Sequence, residues 1–291
     1  MARSSAGKTP AIMQIARNIA GSLLAESQAI KQPSGHVHIF SLEMTAQDLA
    51  TVNLASITRW TSDQIRAGDI GDDKAWIELD RAVSELGRLP IIIDDQAEMD
   101  LATLRMRALA TKRQKRTRLI CIDYRELIRR GRDQARMTMA EWIPYLGYQL
   151  KALAKVTNCP VVALAQINKA KFGDAPVRPT LDDLPYDVGQ AADAVFALHR
   201  PEMYMAEEPP PLMFGASAEK QSNRASEWKQ QRQKVHGLAE FIALKRRFGP
   251  KGLRTLHFDG PRMLLSERSN GLRDDLNSDL ERSGAGYEND R

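Results

Sequence analysis

The feature that most constrains this chain is its opening run, Ala2-Arg3-Ser4-Ser5-Ala6-Gly7-Lys8-Thr9. It has the form G-x-x-x-x-G-K-[ST] of a phosphate-binding loop, with alanine at the first glycine position. Gly7 lets the backbone approach phosphate oxygens where a Cβ would intrude. Ser5, Ala6, Gly7, Lys8 and Thr9 are the candidate cradle, their N–H groups turned inward toward the α/β-phosphates. Lys8 would reach the β/γ-phosphates as a point charge, and the Thr9 hydroxyl would ligate Mg²⁺. A helix must follow, so that its N-terminal dipole adds to the anion site. Ala11 to Ala20 supplies it, with Ile12, Ile15, Ala16 and Ile19 on one face. Such a loop also hangs from the C-terminal end of a parallel strand, and only Met1 precedes Ala2. The chain therefore reads as a fragment, as one that begins at a misplaced start, or as one that fills the gap with another segment.

Downstream, apolar runs alternate with helical periods. His36–Glu43, Leu89–Asp95, Arg118–Asp123 and Cys159–Gln166 read as buried strands, and Ala194–Leu198 and Ala239–Leu244 as two more. Arg254–Phe258 closes the regular part. Helices are expected over 44–58, 62–66, 72–86, 102–111 and 138–156, with Pro144 at a first-turn position or a kink. Strands that are almost wholly apolar and separated by helices indicate an α/β fold: a mostly parallel sheet with helices on both faces. A hydrophobic content of 43% supports a core of that size.

Residues 201–236 carry Pro209-Pro210-Pro211 and many polar side chains, and read as a flexible insertion, part-helical around Trp228. From Arg268 onward the tail is polar and reads as disordered. The regular part thus forms one domain over 1–266, followed by a tail over 267–291. A net charge of +5 favours an acidic partner such as nucleic acid, though a basic solvated surface gives the same number. The basic run on the helix after residue 101 reads as a solvated face. Cys121 and Cys159 sit in apolar strands without disulfide or metal spacing, which fits a reducing, cytoplasmic setting. No apolar run approaches membrane-spanning length, so no membrane partner is expected.

In parallel sheets, ligands bind at the carboxyl ends of strands. Asp123 ends an apolar strand as a magnesium-binding carboxylate would, a hard oxygen ligand suited to a water-rich shell. Glu43 ends the neighbouring strand and could deprotonate an attacking water. Gln166 ends another and could sense the γ-phosphate. By spacing alone, a helix cap or a solvated turn explains Glu43 and Gln166 equally well.

These residues belong to a larger pattern. Phe40-Ser41-Leu42-Glu43-Met44, Ile122-Asp123-Tyr124, Leu150–Lys155 and Pro160–Asn168 occur in the order and spacing of the bacterial DnaB-type replicative helicases. Leu54-Ala55-Ser56, Ile65–Gly68 and Lys245–Pro250 fit as well, and alanine at position 2 is common in that family's phosphate loop. From Ala2 to Ser266 the chain resembles the family's RecA-like motor domain, a P-loop NTPase whose first strand is missing here. The resemblance implies a homo-hexameric ring that hydrolyses ATP with Mg²⁺ at subunit interfaces and moves 5′ to 3′ on single-stranded DNA. It makes Glu43 the catalytic base and Lys245 and Arg247 cations acting in a neighbour's site. Without it, Lys245 and Arg247 would read as an exposed strand end beside the Gly249-Pro250 turn. It also places DNA contacts in the loops after the third and fourth strands, at Arg129, Arg130, Arg132, Lys169 and Lys171.

The sequence departs from the family in places. Asp183-Leu184-Pro185-Tyr186-Asp187-Val188 stands where the family has Asp-Leu-Arg-Glu-Ser-Gly, losing an arginine and a glycine. Lys169 replaces an arginine, keeping charge but losing its fork. The family's primase-binding collar and linker helix have no counterpart in these residues. A RecA-like module that binds nucleotide or DNA without unwinding is the alternative, and a recombinase-type ATPase forming filaments is a third.

Overall fold

A computed structural model describes residues 6–167, 178–205 and 218–268. The strands group in two sheets. β1 (His36–Ser41), β2 (Ile91–Asp94), β3 (Thr117–Asp123) and β4 (Val161–Ala163) form a parallel sheet in the order β2-β1-β3-β4. β5 (Ala194–His199), β6 (Leu238–Arg246), β7 (Gly252–Asp259) and β8 (Leu264–Glu267) form an antiparallel sheet in chain order. The expected mostly parallel sheet thus describes the first four strands, while the last four pair as a meander. β8 extends the regular part beyond the Phe258 limit read from the sequence.

The central strands are apolar because both faces are covered. β1 is buried along its whole length. On one face, Val37, Ile39, Leu119 and Cys121 meet Ile12, Met13, Ala16, Ala20 and Leu23 of α1 (Lys8–Ile30). On the other, Phe40, Ile120 and Ile122 meet Leu104 and Ala108 of α5 (Leu101–Lys115). Trp142, Ile143, Leu146, Leu150 and Leu153 of α6 (Met139–Thr157) pack there too. α1 is longer than its apolar stripe suggested, and Ile15, expected on that stripe, is exposed while Met13 is buried.

The helices between these strands start where their capping chemistry dictates. α2 (Ala46–Ile57) is capped by Thr45, which accepts from the N–H of Asp48. α3 (Ser62–Ala67) opens on a Thr61–Gln64 capping box, α4 (Asp73–Gly87) on Asp72, α5 on Asp100 and α6 on a Thr138–Glu141 box. Pro144 lies in the second turn of α6, not the first. The polar Asn53 and Ser56 on the buried side of α2 both accept from Arg17 of α1.

α1 also fastens the second sheet. The Gln14 amide donates to the Leu265 carbonyl (2.7 Å) and accepts from the Leu265 N–H (3.1 Å), a two-point clasp onto β8. Ala6 completes a small core with Leu198, Ala239, Phe258 and Leu265.

Among the described residues, β4 pairs only with β3 and β5 only with β6, so each is an edge. β4 has three residues where the apolar run Cys159–Gln166 suggested a longer strand. A strand paired on one side only has half the ladder to hold it.

The expected flexible insertion contains a helix, α7 (Ala218–Val235), preceded by a 3₁₀ turn at Pro201–Tyr204. Trp228 and Arg232 are half-buried, with the guanidinium 5.1 Å over the ring, and Glu202 joins His236 and the Gly237 N–H at the far end of the helix. The triple proline and the tail after 268 lie outside the described residues. Among the described residues, no helix is long and apolar enough to cross a membrane.

Candidate active site

Gly7 is the N-cap of α1 and sits at φ +92°, ψ +23°, a left-handed conformation open to glycine at little cost. No side chain caps the helix start. The first N–H groups of α1 therefore stay available to an anion, and the helix dipole favours one there. A Cβ at Gly7 would lie 3.1 Å from the Phe258 ring. Ala6 is buried in the β5–β8 core, which fixes the loop from below. Ser5 lies outside the described residues.

Lys8 and Thr9 open the helix beside the strand ends. Thr9 Oγ1 donates to Asp123 Oδ2 at 2.7 Å. Asp123 is buried, and its Oδ1 has no hydrogen-bond partner. Desolvation pushes its pKa up and the nearby Glu43 adds to this, while the Thr9 hydroxyl and the Lys8 ammonium oppose both. Lys8 is buried too. Desolvation lowers its pKa, and Asp123, Glu126 and Glu43 work against that loss. A buried ammonium facing three carboxylates, beside uncapped helix N–H groups, is a pocket built to gain from a polyanion. Glu43 is exposed at the end of β1, its neighbourhood tied to β3 by Leu42 N–H donating to the Asp123 carbonyl (2.7 Å). The parallel register sets Ser41 opposite Asp123, which brings both strand ends to one rim.

Gly7, Lys8, Thr9, Glu43 and Asp123 thus converge. Gln166 is reached through a residue that sequence reasoning passed over: its N–H donates to Glu126 Oε1 at 3.4 Å. The signal for Glu126 was available, since a charged Arg125-Glu126 pair directly follows an apolar strand and its aspartate.

The remaining predicted residues stand apart. Lys245 Nζ donates to the carbonyls of Gly189 (2.7 Å) and Gln190 (3.2 Å). Arg247 is exposed, 3.3 Å from Asp193, a carboxylate that also pairs with Lys151. No described hydrogen bond or ion pair joins Lys245 or Arg247 to the loop of their own chain. In the loop after β3, Arg129 pairs with Glu98, Arg130 donates to the Met137 carbonyl, and Arg132 is exposed. Lys169 and Lys171 lie outside the described residues.

The donor set suits a hydrated magnesium ion, with one hydroxyl, one buried carboxylate with an unpartnered oxygen, and a phosphate cradle alongside. The nucleotide and Mg²⁺ expectations are therefore chemically compatible with the residues present.

Residues 1–266 match the family model described as the DnaB-like helicase C terminal domain. A replicative DNA helicase DnaB of Rickettsia felis is 31% identical over 259 residues, covering 88% of this chain and 50% of that protein. The Pasteurella multocida protein of the same name is 32% identical over 265 residues, covering 89% of this chain and 48% of the other. The chain spans about half the length of these relatives. A solved structure of a DnaB-like replicative helicase, described with its interactions with primase, superposes with a TM-score of 0.73 at 23% identity. That match covers 92% of this chain and 57% of that one, and supports a RecA-like ATPase fold. The family model covers nearly the whole chain and the relatives share its sequence at 30% identity or more: this chain belongs to the DnaB-like helicase C-terminal domain family.

Proposed function

We propose that residues 1–266 are the motor of a replicative DNA helicase, hydrolysing ATP with Mg²⁺ and moving 5′ to 3′ on single-stranded DNA within a homo-hexameric ring. The observation that carries this reading is the convergence of Lys8, Thr9, Glu43 and Asp123 on one rim, with the uncapped start of α1 beside them. Lys8 would hold the β/γ-phosphates, and Gly7 and the first N–H groups of α1 the α/β-phosphates. Thr9 and Asp123 would hold Mg²⁺, which when bound spreads charge from the transferring phosphoryl group. Glu43, at the rim and open to solvent, would accept the proton of the attacking water. Lys245 and Arg247, which make no described contact with their own chain's loop, would act in a neighbour's site in the ring. Such a trans-acting cation is worth on the order of 10³–10⁵ in rate. Buried, unpaired Cys121 and Cys159 fit a reducing cytoplasm.

Lys8→Ala and Glu43→Gln should each abolish DNA-stimulated ATP hydrolysis, the first by removing the phosphate clamp and the second by removing the base. Turnover like that of the unaltered chain in either variant overturns the assignment. A second reading, a nucleotide- or DNA-binding module without unwinding, draws on Arg129 and Arg130 being engaged within the chain. Strand displacement on a forked DNA by this chain alone would exclude it.

A further inference from the structure

The edge of the parallel sheet carries a crevice that no step of the proposed hydrolysis uses. It lies between β2 and α5 and has a volume of about 500 Å³. It opens beside a strand that, among the described residues, pairs with β1 alone. Ile92 and Ile93 both line it. Neighbours on a strand point to opposite faces, so the crevice reaches around the free edge of β2. Its volume falls within the roughly 300–1,000 Å³ of small-molecule sites. A water takes only about 30 Å³ of liquid.

His38 lines the crevice from β1, the strand behind β2, and is 2% exposed. Among the described residues, its Nδ1 has no hydrogen-bond partner. His36, two residues back on the same face of β1, is the contrast. Its Nδ1 stands 2.8 Å from the Lys115 carbonyl and its Nε2 3.2 Å from the Thr117 hydroxyl. A buried polar atom left open in this way calls for a partner. Burial lowers the pKa of His38 from 6.5 to about 4. The ring is therefore neutral near pH 7, with one nitrogen to donate and one to accept.

The charges around the crevice are already engaged. Arg107 Nη1 donates to both Asp94 oxygens, at 2.8 and 2.7 Å, and Nη2 donates to Gln96. Asp95 accepts from the Ala46 N–H at 2.8 Å. An ion entering here would give up its water for no spare counter-charge. An uncharged molecule loses less, and Ile92, Ile93 and Ala110 offer it apolar contact. A rigid ring also loses the least conformational entropy on binding.

We propose that the crevice between β2 and α5 binds a small uncharged nitrogen heterocycle, hydrogen-bonded to the His38 imidazole and lying against Ile92, Ile93 and Ala110. The proposal does not depend on the nucleotide-site reading.

The test uses the full chain at pH 7.5 with benzimidazole, which is neutral there and carries an N–H and a bare ring nitrogen. Indane has the same shape and neither nitrogen. Affinity is read by ligand-observed NMR, and location by the histidine-ring signals, with His38→Phe identifying that of His38. Benzimidazole should shift the His38 signal and bind with a Kd of about 1 mM or tighter. Indane, unable to make the hydrogen bond, should bind about tenfold more weakly. His38→Phe should bring benzimidazole down to the level of indane with no fall in melting temperature. Ala110→Leu, a larger side chain entering from α5, should weaken benzimidazole as well, and it carries the comparison if His38→Phe melts lower. Absence of benzimidazole binding, equal binding of indane, or affinity that survives these substitutions overturns the proposal. So does loss of the His38 shift when AMP-PNP and Mg²⁺ are added in excess, since benzimidazole would then belong to the nucleotide rim.

Discussion

Gly7 at φ +92° joins two demands in one residue, a left-handed backbone and a Cβ-free approach above the Phe258 ring. Gly7→Ala should cost about 1–2 kcal/mol from the backbone alone, read as a lower melting temperature, and should weaken nucleotide binding as the loop tilts. The G-K-T string made legible only the need for a Cβ-free approach to phosphate. The left-handed turn and the ring beneath it were not, because Phe258 lies far along the chain and only folding of the second sheet brings it beneath the loop. His38 makes a comparable point away from the site. Burial, with help from His36 and Arg107 and against Asp94, drops its pKa from 6.5 to about 4. Between those values the unfolded chain binds a proton that the fold refuses, so stability is full above about pH 6.5 and is lost as pH falls toward 4. Melting temperatures measured from pH 7 to 4 should fall more steeply for the unaltered chain than for His38→Phe.

Helices were more readable than strands. The helix expected from residue 138 is α6, and a capping box forms at its start, with Thr138 Oγ1 accepting from the Glu141 N–H and Glu141 reaching back to the Thr138 N–H. Thr138→Ala should cost about 1 kcal/mol, seen as a lower urea midpoint with an unchanged slope. A cap is local chemistry, so its spacing survives in the sequence. Strand partners are not local. The run Cys159–Gln166 has the composition of a buried strand, yet the strand itself is only Val161–Ala163, and among the described residues it pairs with β3 alone. Nor did the apolar runs of β5 and β6 disclose that they pair antiparallel while β1–β4 pair parallel. Both kinds of strand are apolar when both faces are covered.

At the scale of the molecule, distant charges hold segments in place. Glu240 on β6 is nearly inaccessible and takes both arms of Arg178, at 2.8 and 2.7 Å. Arg178→Met would leave that carboxylate buried without its main partner and should cost about 3–5 kcal/mol, measured by urea unfolding; Glu240→Gln in addition should recover much of it.

The identities of Gly7, Lys8, Thr9, Glu43 and Asp123 were set by short-range rules: a cradle needs glycine, a phosphate needs a cation, and a strand end offers a carboxylate. What those rules could not supply was the company these residues keep. Glu126 accepting from the Gln166 N–H, Phe258 beneath Gly7 and Gln14 clasping Leu265 are contacts across long stretches of chain. They exist only once burial has chosen which faces meet, since chain closure over such distances leaves no local trace in composition or spacing.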